Sequence, residues 1–321
     1  MTPAEMEKRI VRYGDLQPCK TAFIDAHTPG SDQKENFTII GGGVSESPDQ
    51  HVHIGIPHGF NIGAAGQPPR VRNSLHDHHT AEAFFVLSGR WRFFWGRWGK
   101  AGEVTLEAGD IINIPTGIFR GFENIGTDYG MIMAVLGGDD AGGGVMWAPQ
   151  VIEDAAEHGL VLAETGKLYD TKKSANLPDG VKPMPLMTEA ELAKRPEPTT
   201  ADVLPNHVAR YWDMVALADK KPVLVIGEKG LLRDKPGFEV AFITNRSASE
   251  EKHSHKVPSV LMPVKGHWRV DWDGGSATLA AGDTMSVPEN IGHSVVPSMT
   301  GEAALYHIVA TGDPAGHTWK G

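Results

Sequence analysis

Apolar residues in this chain recur with a period of two over short runs, and glycine, aspartate or proline breaks each run. The clearest are AFFVLSG, WRFFW, EVTLEAGDIINIP and MIMAVLG in the first half, then SVLMPVKG, WRVDW, SATLAAGDTMSVP and AALYHIVA in the second. Side chains alternate between the two faces of a strand, so these runs predict half-buried β-strands. Short strands at regular spacing between turn residues predict a barrel or sandwich. Between the halves the pattern changes. Residues 149–166 carry a helical periodicity, and TEAELAK over 188–194 reads as a short helix with Thr188 as its N-cap. Residues 174–205 are rich in Pro, Lys and Glu, as a linker is. The expectation is an all-β chain of two tandem β-barrel domains joined by a partly helical, Pro-rich linker. Residues 1–150 form the first domain with an N-terminal extension, 151–205 the linker and 206–321 the second domain.

The two halves repeat one another. His76-x-His78-x3-Glu82-x6-Gly89 returns as His253-x-His255-x3-Ser259-x6-Gly266, every position offset by 177. Gly109-x5-Pro115-x4-Arg120 returns as Gly282-x5-Pro288-x4-His293, offset by 173. Trp91 and Trp95 likewise return as Trp268 and Trp272. Matched spacing at this many positions indicates a duplicated domain. In a strand, residues i and i+2 share a face, so each His-x-His pair is expected to point into its barrel. The glycine–proline half-motif supplies a fourth inward position from another strand. At the four recurring positions copy one holds His76, His78, Glu82 and Arg120; copy two holds His253, His255, Ser259 and His293.

This spacing resembles the cupin superfamily, jelly-roll β-barrels that hold a metal inside, and two copies resemble a bicupin. The resemblance covers roughly residues 50–135 and 225–312. It implies a divalent metal, with Fe(II) favoured and Mn, Ni, Zn or Cu as alternatives. The first expected ligand set is His253, His255 and His293; the second is His76, His78 and Glu82. Copy two is similar to the three-His cupin dioxygenases that cleave gentisate or salicylate. Three neutral imidazoles leave the metal's charge uncompensated, which favours an anionic substrate. In copy one, Arg120 cannot ligate a metal. It either pairs with Glu82 and closes the site or leans aside as an anion or substrate contact. The leading functional expectation is therefore a metal-dependent dioxygenase acting on a small anionic or aromatic substrate. The alternatives are a non-redox isomerase or lyase and a non-catalytic small-molecule-binding cupin.

Composition narrows the partners. The 321 residues suffice for two domains, and 40% hydrophobic content supports packed cores. A formal net charge of -10 argues against a phosphate-binding surface, so nucleic acid is not an expected partner. No apolar run is long enough for a membrane helix, and the N-terminal residues lack a signal-peptide core. The single cysteine, Cys19, excludes an intrachain disulfide and fits a reducing cytoplasm. Cupin barrels commonly associate, so a homo-oligomer binding a small molecule is expected. The tryptophan pairs are read as core, His79 as a surface residue, and the glycine-rich 137–144 as a flexible exit from the first barrel.

Overall fold

A computed structural model describes all residues except 48, 140–143, 233–235, 317, 318, 320 and 321. Two β-barrels account for most of it. The N-terminal barrel sets a seven-stranded sheet against a five-stranded one. The first runs Val208–Ala209, Ile111–Ile114, Glu82–Ser88, Gly130–Gly137, Phe60–Gln67, Glu35–Ile40 and Val52–Ile54 in spatial order. The second runs Val145–Trp147, Arg72–His78, Arg120–Asn124, Arg90–Trp95 and Gly102–Glu107. The C-terminal barrel pairs a six-stranded sheet with a four-stranded one, and its site strands are Ser249–His253, His293–Pro297, Ser259–Lys265 and Ala304–Ala310.

The duplication holds at the level of register. Arg120 pairs with His76 on one side and Trp95 on the other. His293 pairs with His253 and Trp272 in the same way. Trp91, Trp95, Trp268 and Trp272 are buried core, as expected. Their indoles tie the barrels locally: Trp91 donates to the Ser88 carbonyl and Trp268 to that of Lys265.

Each barrel also takes a short strand from the segment preceding the other. Ile10–Val11 pairs with Thr284–Val287 of the C-terminal barrel, and Val208–Ala209 pairs with Ile111–Ile114 of the N-terminal barrel. The exchange crosses the sequence grouping of 1–150 and 206–321. The two arms share the same socket contacts. Arg12 reaches Asp283 and the Thr278 carbonyl, and Tyr13 donates its backbone N–H to Asp283. Arg210 reaches Asp110 and the Thr105 carbonyl, and Tyr211 donates to Asp110. The turn glycines of the motif explain themselves here. Gly109 and Gly282 have φ of 89° and 91°, and an added Cβ would lie 2.3 Å from the Tyr211 ring and 2.7 Å from that of Tyr13. The Gly-Asp pair in each half is thus a socket for an arm.

Between the arms, one expectation is corrected. The helix is Pro149–Glu157 only, and residues 160–170 form a hairpin of Leu160–Leu162 with Leu168–Asp170. Gly159, at φ 91°, ends the helix. The 188–194 helix is Glu189–Leu192, with Thr188 and Glu191 forming a capping box. The two barrels share one apolar cluster, in which the Phe85 and Tyr306 rings lie 4.9 Å apart. Residues 140–143 of the glycine-rich segment lie outside the described residues.

Candidate metal centres

In the N-terminal barrel the strand Arg72–His78 continues through both histidines, so His76 and His78 face the same way, with ring centroids 5.1 Å apart. Glu82 opens the next strand and joins them; donor atoms of the three lie within 4.8 Å of one another, and all three residues are buried. Glu82 Oε2 is 3.5 Å from His78 Nε2 and 4.0 Å from His76 Nε2. His76 Nδ1 donates to the Ser74 carbonyl and His78 Nδ1 to that of Gly144, which leaves each Nε2 as a bare acceptor.

Arg120 comes from the neighbouring strand, and both terminal nitrogens of its guanidinium are engaged, while its buried Nε has no partner among the described residues. One arm donates to Glu82 Oε2 at 2.6 Å and the other to Asp77 Oδ1 at 2.8 Å. Asp77 is fully buried and takes a second cation, Arg195 from the linker, at 2.7 Å. Two arginines and two carboxylates thus form a neutral quartet. Of the two readings of Arg120, this geometry shows the pairing with Glu82, and both ends of the fork rest on carboxylates. It also weighs against a metal. Unit charges about 4 Å apart interact by about 4 kcal/mol at an effective dielectric near 20, and a dication roughly doubles the repulsion. Asp77 and Arg195 were invisible to the motif reading: Asp77 lies between the histidines with the opposite parity, and Arg195 lies in the linker. His79 is exposed, as expected.

Burial lowers the pKa of His78 to about 3, with Arg120 adding to the effect, and takes His76 well below its usual value for the same two reasons. Burial raises the Glu82 carboxyl against the downward pull of Arg120.

The C-terminal barrel carries a different set. His253 and His293 are neighbours, with ring centroids 4.4 Å apart. The third member is His307 from Ala304–Ala310; donor atoms of His253, His293 and His307 lie within 4.8 Å of one another. His255, expected as a ligand beside His253, lies at the edge of this set. Its ring is 4.9 Å from that of His307 but 6.5 Å from that of His293. The reason is local: the strand ends at His253, so the alternation that would align the two rings stops there. Ser259, where cupins often have Glu, is buried without an acidic group. His307 replaces it from the adjacent strand. The 173 offset maps His307 onto Ala134, and Leu261 pairs with His307 as Phe84 pairs with Ala134. The sequence signal was a histidine at a strand position with no counterpart in the first copy.

These imidazoles are poised for a cation. The Nε2 atoms of His255, His293 and His307 are buried and have no hydrogen-bond partner among the described residues. His293 Nδ1 donates to the Ile291 carbonyl at 3.0 Å, which fixes its tautomer and leaves Nε2 bare. Burial lowers all four histidines, His293 to about 4 and His307 well below its usual value; neighbouring imidazoles add to this except at His253. Neutral imidazoles with free lone pairs fit a divalent metal of the borderline class.

Comparison with known proteins agrees with this architecture. The family model described as "Cupin domain" matches residues 66–136. Among solved structures, an oxalate decarboxylase–formate complex from Lactobacillus farciminis superposes with a TM-score of 0.54 at 14% identity, over 96% of this chain and 88% of that one. A deletion variant of Bacillus subtilis oxalate decarboxylase gives 0.53 at 14% identity, over 97% and 79%. A further structure of the Bacillus enzyme, at 0.52, 14% identity and the same coverage, concerns its Mn(II) centres. A search of curated proteins gave no match. The cupin match covers the first barrel, and the solved structures share the tandem-barrel fold of the whole chain.

Proposed function

We propose that this chain is a metal-dependent bicupin whose working centre is the C-terminal barrel, acting on a small anionic substrate by non-redox, lyase-type chemistry. One observation carries the metal assignment: three buried imidazole nitrogens, on His255, His293 and His307, have no hydrogen-bond partner among the described residues. His253 and these three would hold the ion. A divalent metal bound there supplies Lewis acidity. The residues around it contribute neutral donors only, so the protein leaves the ion's positive charge to be offset by a substrate carboxylate. The fixed tautomer of His293 keeps its donor atom directed inward.

The choice of a lyase-type reaction over the dioxygenase of the three-His resemblance rests on two points. The similar solved structures are oxalate decarboxylases, and a fourth imidazole at His307 departs from the three-His pattern. Mn(II) becomes the leading metal, with Fe(II), Ni, Zn and Cu as alternatives. A cytoplasmic setting and a homo-oligomeric state are part of this proposal; among the described residues no helix is long and apolar enough to cross a membrane.

The test is turnover of small mono- and dicarboxylic acids by Mn(II)-loaded protein with and without dioxygen. Carbon dioxide release that persists under nitrogen is expected. Turnover that consumes dioxygen stoichiometrically would return the chain to the dioxygenase reading. Metal bound without turnover of any acid would favour a binding module.

A further inference from the structure

The N-terminal barrel contains a cavity of about 70 Å³ that nothing in the proposed reaction uses. Its walls are apolar, among them Phe37, Ala64, Phe84, Ile132, Ala134 and Leu136; at one end His76, His78 and Glu82 face in. That end has an unusual feature. The bare Nε2 atoms of His76 and His78 lie 4.0 and 3.5 Å from Glu82 Oε2, which already accepts from Arg120, so two imidazole acceptors are left without a donor. A cation or a hydrogen-bond donor would satisfy them. The cation is already present: Arg120 holds Glu82, and Arg195 balances Asp77. What remains to be supplied is a neutral donor.

The geometry points to a binding site for a small uncharged organic molecule. Its hydroxyl or N–H is donated to the Nε2 of His76 or His78 beside Glu82, and its apolar body lies against the cavity walls. An anion is disfavoured, because it would meet two imidazole lone pairs and a carboxylate. A molecule of a few non-hydrogen atoms is the right size, since a cavity of about 150 Å³ holds benzene. The route in is also visible. The cavity shares Val44, Ser45, Val145 and Trp147 with an open cleft that the linker roofs with Met184 and Met187. Trp147 stands between the two and is fixed by its indole N–H on the buried carboxylate of Glu46, at 2.7 Å. This site is independent of the metal reading of the other barrel.

Three probes of similar size separate the possibilities: 1-butanol (donor), butyronitrile (acceptor only) and butyrate (anion). Their affinities for the full-length, chelator-treated protein are compared by ligand-observed NMR, and the bound probe is located by crystallography. The expected result is 1-butanol bound at His76, His78 and Glu82 at least tenfold more tightly than the other two. Ala134→Leu, which fills the cavity, should abolish binding while metal uptake by the C-terminal barrel is unchanged. The milder Ala134→Val should weaken it, should the larger change not fold. Equal or tighter binding of butyrate, no binding of any probe, a probe located elsewhere, or a stoichiometric metal on His76, His78 and Glu82 would each overturn the assignment.

Discussion

Opposite His76 in the N-terminal barrel stands Arg120, and opposite His253 in the C-terminal barrel stands His293. The two sites sit on the same ladder in the same register, yet a guanidinium occupies one and an imidazole the other. Each change has a partner nearby. In the N-terminal barrel the fixed cation is matched by Glu82 and by a buried Asp77, whose second oxygen is matched in turn by Arg195. In the C-terminal barrel the carboxylate is lost at Ser259, and an imidazole arrives on the next strand at His307. The contrast teaches that a duplicated barrel conserves where side chains point and leaves free what they carry. One copy has its positive charge built into the chain; the other has room to take it from an ion.

Several substitutions would break or sharpen that contrast. The largest effect is expected from Arg120→Ala, which leaves two buried carboxylates short of a partner; breaking a buried pair costs about 3–5 kcal/mol. Urea denaturation of the metal-free protein measures it, and a loss below about 1 kcal/mol would show that the quartet is not structural. Arg120→His should convert the first site toward the second, raising metal content from one to two equivalents per chain by elemental analysis. His307→Ala should weaken metal affinity at least tenfold, about 1.4 kcal/mol, in a competition titration, whereas Ala134→Val in the other barrel should not change it.

Smaller effects test the arms. Arg12→Ala and Arg210→Ala each remove a guanidinium from a socket aspartate, and both side chains are partly exposed. Charged hydrogen bonds contribute about 1.5–3 kcal/mol when sheltered, so each loss should be nearer 1 kcal/mol, with Arg12 the larger because it also pairs with Glu7. Calorimetry of both variants would show whether Arg12→Ala is the costlier change. The acid response comes last. His293 and His78 have folded pKa values of about 4 and about 3 against an ordinary 6.5. Below pH 6.5 the unfolded chain takes up protons that the folded chain refuses, so stability falls with falling pH, by up to about 1.4 kcal/mol per group per pH unit. The melting temperature of the metal-free protein should drop between pH 7.5 and pH 5; a rise would contradict the burial of these rings as neutral imidazoles.

Much of this was legible in the chain. Period-two patterning and two constant offsets were enough for tandem barrels, because strand alternation and turn glycines act locally. The likeness of the arms was equally present in the sequence, as Ile10-Val11-Arg12-Tyr13 against Val208-Ala209-Arg210-Tyr211, but at an offset of 198 that no motif residue shares. What patterning could not supply was side-chain reach. Asp77 is reached from an adjacent strand and from the linker, and His307 compensates for a residue on its neighbouring strand rather than its own. The position of the His255 ring was missed for the opposite reason: parity was applied past the end of its strand.

The metal content of the wild type beside His293→Ala and His78→Ala tests the inequality of the barrels most directly. One equivalent in the wild type, lost in His293→Ala and retained in His78→Ala, is the predicted result. Metal lost in His78→Ala and retained in His293→Ala would place the ion in the barrel that already carries Arg120 and would contradict the account.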